Sequence, residues 1–167
     1  MTLELTIPSI CTFMTALAIL LVFSIMDVRE RRVSNHSMLL GGVIGIISVV
    51  LTGHLIHNLV LHLTAPIFVI VVSYTLFQIG SIGGADLKAL IILSIISPGI
   101  ELALWVDPVF EAIIGGGVEI LVMLTCGYVY SKWTGKENGL LQDERRITPL
   151  IAFLCLAYVL IQIMAIF

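Results

Sequence analysis

Charge is what this chain has least of. Asp, Glu, Lys and Arg make up 11% of its 167 residues, against 59% hydrophobic. A soluble domain carries roughly 25% charged residues, so a free-standing soluble domain is excluded and an integral membrane protein is expected. Paired cysteines are missing too. Cys11, Cys126 and Cys155 all fall inside apolar runs, and no Cys-x-x-Cys occurs, which excludes a disulfide framework or a cysteine zinc site and leaves packing. The first apolar run has no basic segment before it, only Glu4, and its Arg29, Arg31 and Arg32 follow it. That order argues against a cleaved signal peptide.

Long apolar runs are present instead, at about 7–26, 37–56, 59–79, 87–105, 110–130 and 148–167. About 20 apolar residues cross a core about 30 Å thick. The expectation is an all-α membrane protein, a polytopic bundle of six transmembrane helices forming one domain over 1–167, with no separate soluble domain. The eight Lys and Arg residues sort to one side of that bundle. Arg29, Arg31 and Arg32 follow helix one, Lys88 opens helix four, and Lys132, Lys136, Arg145 and Arg146 lie between helices five and six. The opposite loops carry His54, His57, Glu101, Asp107 and Glu111. Cytoplasmic loops are enriched in Lys and Arg, so both termini are expected outside and the three basic regions inside.

This count places two carboxylates at one depth. Asp27 ends helix one and Asp86 opens helix four, both on the basic side. A carboxylate beside hydrocarbon costs several kcal/mol, on the order of the insertion scales. Two that meet share a proton, so one serves as acid and the other as base toward a water molecule. Gly83 and Gly84 precede Asp86, giving backbone freedom and room for a substrate strand. The alternative is structural, with Asp86 as a helix cap and Asp27 as a boundary residue paired with Arg29 or Arg31.

Gly83-Gly84-Ala85-Asp86-Leu87-Lys88, together with Asp27 and the following Arg32-Val33-Ser34-Asn35, resembles the prepilin and preflagellin peptidase family of membrane aspartyl proteases. Ile147-Thr148-Pro149 resembles the opening of that family's last helix. The resemblance spans the chain and implies Asp27 and Asp86 as catalytic. Gly83, Gly84, Ala85, Asn35 and Glu119 are candidates for supporting or substrate-binding roles, and Lys88 either tunes the pair or meets lipid headgroups. It implies no metal and no cofactor. Ala85 stands where bacterial members have a second glycine, which leans the chain toward the archaeal branch, and short Flp-type bacterial enzymes stay in play. The cysteine-rich domain of large bacterial members is missing, and no methyltransferase activity is implied. The implied function is removal of a short basic leader from type IV pilin-like or archaellin precursors at the cytoplasmic face of the cell membrane. Those precursors and the lipid bilayer are the implied partners, and no nucleic acid is expected.

Other features read as packing or boundary. Gly41 and Gly45 form a small-residue face, as do Gly115, Gly116 and Gly117. Pro66 and Pro98 are expected to kink their helices. Ser131–Ile147 reads as a solvated loop whose Glu137, Asp143 and Glu144, like Glu30, are candidates to meet a basic leader. His54, His57 and His62 read as a solvated boundary with no carboxylate to complete a metal site. Glu119, within helix five, bonds a neighbouring helix or serves function. The competing function is a small proton- or cation-coupled transporter or channel subunit using Asp27, Asp86 and Glu119.

Overall fold

In a computed structural model, residues 2–3, 6–30, 32–104, 107–133 and 149–164 are described. Their elements run β1 (Thr2–Leu3), α1 (Ile7–Glu30), α2 (Asn35–Leu51), α3 (His54–His57), α4 (Leu59–Gln78), α5 (Gly84–Ile96), β2 (Ala103–Leu104), α6 (Pro108–Trp133) and α7 (Leu150–Met164). Six helices fall on the six apolar runs, but α5, of 13 residues, covers only the first part of the run expected over 87–105, and α3 is a single extra turn between α2 and α4. Helices α1, α4 and α6 are long and apolar enough to cross a membrane, while α2 and α7 are shorter apolar helices. The architecture is that of an all-helical integral membrane protein.

Local chemistry sets the helix ends. Ser34 lies in extended backbone at the start of α2, and its hydroxyl accepts from the Ser37 N–H at 3.1 Å. This satisfies one of the donors that a first helical turn leaves open. Gly80, after α4, has φ +80°, a left-handed turn conformation that glycine adopts without cost. Pro98 acts differently from the expected kink. Helix α5 stops at Ile96, and Ser97 turns to φ −127° and ψ 86°. A residue before proline is driven from helical geometry by the proline ring, so Pro98 terminates the helix. Pro66 lies within the continuous helix α4.

The helices pack as a ring, α1–α2–α5–α4–α6–α7, closed by α7 against α1. Helix α5 also touches α1 and α7 across the middle. Phe23, Leu90, Leu93, Met123, Ile151, Leu154 and Tyr158 fill the shared core. Most other large apolar side chains point outward, including Leu39, Leu40, Ile67 and Val71, as helices facing lipid require. One end of the bundle gathers the close of α1, α4 and α6 and the start of α2, α5 and α7. Arg29, Arg32, Lys88 and Lys132, the described basic residues, all lie at that end. Arg31, Lys136, Arg145 and Arg146 lie outside the described residues, with most of the expected Ser131–Ile147 loop and its acidic candidates. Its first three residues belong to α6. Thr148, expected as a cap, also lies outside them, and Pro149 directly precedes α7.

Gly41 and Gly45 are buried on α2. A Cβ on Gly41 would stand 2.6 Å from Phe23 Cζ, and one on Gly45 would collide with Ile96. The Gly-x-x-x-Gly face therefore sets the approach of α2 to both α1 and α5. Gly45→Val should destabilise the fold by about 1–3 kcal/mol, the ordinary cost of overpacking a core. Gly42→Ala should change it little, because its Cβ would meet Ile92 at an ordinary 3.7 Å. Reversible unfolding in detergent micelles separates the two.

Candidate active site

Helix α1 buries Ala16, Ile19, Leu20, Phe23 and Asp27, and helix α5 buries Asp86, Ala89, Leu90 and Leu93. In each case the spacing of three and four is that of one helix face, so both aspartates continue an inward apolar stripe. Asp27 is 5% exposed and Asp86 4%. They come from adjoining helices and lie close enough for the charge of one to act on the other.

Each carboxylate is held by backbone. Asp27 Oδ2 accepts from the Ile151 N–H at 3.2 Å, at the start of α7. It thereby caps a helix 124 positions away in the chain. The first turn of a helix carries open N–H groups and a partial positive charge, so an anion is favoured there. Asp86 Oδ2 accepts from the Gly83 N–H at 2.9 Å, the half of a capping box that the third helical residue supplies. The structural role is therefore real for Asp86. For Asp27 the partner is the start of α7, and among the described residues no ion pair joins it to an arginine. The second oxygen of Asp27 has no hydrogen-bond partner among the described residues.

The two glycines act otherwise than expected. Gly83 has φ −84° and ψ 165°, extended backbone open to any residue, and Gly84 is already helical. What Gly83 needs is room, since a Cβ there would stand 3.0 Å from Asp86 Oδ2. Ala85 is half-buried against the core. Lys88, two residues beyond Asp86, is turned about 200° around the helix and does not face the pair. Its amine donates to Asn35 Oδ1 at 2.7 Å, tying the first turn of α5 to that of α2.

Glu119 does not join the aspartates. It is 8% exposed and has no hydrogen bond among the described residues. Its carboxyl lines a pocket of about 10 Å³ with Ser94, Ser97 and Gly99, space for about one water. The hydrogen bond to a neighbouring helix that was one reading of Glu119 is not made among the described residues.

The histidines correct another expectation. His54 and His62 are buried, at 3% and 7% exposure, while His57 is exposed. His54 Nε2 lies 3.0 Å from Glu101 Oε2, and its Nδ1 lies 3.0 Å from His62 Nε2. His62 Nδ1 reaches the Ile95 carbonyl oxygen at 3.0 Å. Ser97 Oγ donates to Glu101 Oε1 at 2.9 Å, and Tyr158 donates to Ser97 Oγ at 3.1 Å. A carboxylate does therefore complete the group. Because α5 ends before Pro98, the segment after it folds back and carries Glu101 inward. Among the described residues no three His, Cys, Asp or Glu side chains are placed to hold a metal ion. Glu101, Ser97 and Tyr158 were not singled out from sequence, and the Ser97-Pro98-Gly99 break was the available signal.

The fold thus sets two buried carboxylates, from adjoining helices, at one end of a helical membrane bundle. The model of the type IV leader peptidase family matches residues 14–166, and the chain belongs to that family. It is thereby a peptidase. No curated protein and no solved structure matches it.

Breaking one side of a buried polar pair costs about 3–5 kcal/mol. Glu101→Leu leaves His54 and Ser97 without their carboxylate and should lose stability on that scale, whereas His57→Leu should stay within about 0.5 kcal/mol. Chemical unfolding of the two variants in micelles checks the difference.

Proposed function

We propose that Asp27 and Asp86 are the catalytic pair of an aspartyl endopeptidase that removes leaders from type IV pilin-like or archaellin precursors. One observation carries this reading. Two buried carboxylates, on helices that touch, lie at the end of the bundle that holds the described basic residues, each fixed by a backbone N–H. Basic residues mark the cytoplasmic side, so the site is read as lying at the cytoplasmic membrane face. A scissile bond between a basic leader and an apolar helix would stand at that depth.

The chemistry follows from one proton shared by two carboxyls. The ionised member takes a proton from a water molecule as its oxygen attacks the scissile carbonyl carbon. The neutral member gives its proton to the carbonyl oxygen. The intermediate then expels the amine, which receives a proton from the carboxyl that took the first one. The other carboxylate takes a hydroxyl proton from the intermediate, leaving a carboxylic acid product and the pair with its one proton restored. The backbone bonds keep the two carboxyls in place through this cycle, and water needs no metal to be activated. Gly83, whose lack of a Cβ clears Asp86 Oδ2, would give a substrate strand access to that acid, while Asn35 and Lys88 brace α5 from the far side. Nothing in this scheme calls on a methyl donor.

The relay reading has less support, because Glu119 lines a small pocket with Ser94, Ser97 and Gly99 and with neither aspartate.

Asp27→Asn and Asp86→Asn should each reduce cleavage of a precursor with a basic leader by at least about a hundredfold, with helical circular dichroism retained. A chelator should leave the wild-type rate unchanged. Retained cleavage in either variant would refute the pair, and a rate that falls with the chelator would refute metal independence.

A further inference from the structure

Helices α2 and α5 diverge on their outer side to form a groove of about 360 Å³. Gly42 and Ile92 lie along it, and Leu39, Val43 and Ile46 flank it on α2, exposed by 69%, 46% and 47%. Its polar lining comes from Asn35 and Lys88, both in the first turns of their helices at the basic end. The remaining wall is hydrocarbon. Its volume falls in the range of roughly 300–1,000 Å³ that ligand sites have.

We infer that this groove binds one anionic phospholipid, with an acyl chain between α2 and α5 and its phosphate on the Lys88 amine. Three observations select that occupant. First, the charge fits. The Lys88 amine spends one N–H on Asn35 Oδ1 at 2.7 Å and has two more donors for phosphate oxygens. Asn35 holds the amine at the groove mouth. A basic leader would be repelled there.

Second, the length fits. The α2 wall from Asn35 to Ile46 rises about 1.5 Å per residue, or roughly 16 Å in all. Half of a core about 30 Å thick is about the same, so the groove spans one leaflet. Third, the direction fits a lipid rather than the peptidase substrate. The groove follows Lys88, Ile92 and Ile95, about 200° around α5 from Asp86, so a helix lying in it would present its end away from the aspartates. The bound lipid would join the first turns of α2 and α5, and so steady the helix that carries Asp86. The binding site itself does not depend on catalysis by the pair.

The test is native mass spectrometry of the full chain released from mixed vesicles of phosphatidylglycerol and phosphatidylcholine in equal amounts. Wild type should retain one lipid, with about a fivefold preference for phosphatidylglycerol, the worth of one cation beside an anionic leaflet. Lys88→Gln should retain lipid without preference. Gly42→Leu, which fills the groove, should lose the retained lipid, while Gly42→Ala should keep it. Equal retention of both lipids by wild type, or an unchanged preference in Lys88→Gln, would overturn the inference even if Gly42→Leu failed to fold. A photo-crosslinker at Val43 that captures precursor peptide in place of lipid would overturn it as well.

Discussion

A carboxylate inside an apolar bundle persists only if its charge is hydrogen-bonded or its proton is kept, and everything at the basic end follows from how this is done. The chain has few side chains to offer as partners. It uses backbone instead, with Ile151 N–H on Asp27 and Gly83 N–H on Asp86. Helix starts leave such backbone donors free. The two buried acids lie beside helix starts, and the bundle brings the starts of α5 and α7 to the close of α1. The depth of the pair is set by where helices begin.

The far end solves the same problem with side chains. His54, His62, Glu101, Ser97 and Tyr158 form a connected set drawn from α3, α4, the segment after α5, and α7. Such a network holds only when each member is satisfied, and here most groups have a partner. Gln162 shows the limit. Its Nε2 donates to the Gly99 carbonyl oxygen at 3.1 Å, while its Oε1 has no partner among the described residues. The end without described Lys or Arg is thus the more extensively cross-linked one, and the basic end keeps its carboxylates on single anchors. Fewer bonds to each acid leave more of its oxygen lone pairs for a third party.

Much of this could be read from residue order. The six apolar runs gave the principal helices, and the grouping of Arg29, Arg32, Lys88 and Lys132 put Asp27 and Asp86 at one end. The partners of the acids were not readable. Asp27 and Ile151 are 124 positions apart, and no local pattern announces that pairing. Gly83 misled in another way, because glycine suggests unusual backbone angles, whereas its use here is lack of bulk beside Asp86. Pro98 misled through its context. An apolar run on both sides implied a kinked helix, but Ser97 and Gly99 gave the chain an easy exit, and that exit buried Glu101.

The same lack of bulk explains how α5 occupies the middle of the ring. Helices in lipid gain little from merely hiding apolar surface, since the tails outside are equally apolar, and they associate through close packing. At Gly45 the Ile96 side chain takes the place a Cβ would hold, and at Gly41 Phe23 does so. Helix α2 is drawn against α1 and the far end of α5 at these points. Nearer the basic end α2 and α5 are joined by the Lys88–Asn35 bond, with the outer groove between them. The two helices are thus held by close glycine contact deeper in the bundle and by one exposed side-chain bond near the helix start that carries Asp86. The glycines that tighten the bundle are therefore also what set α2 against α1 and α5, the two helices that carry Asp27 and Asp86.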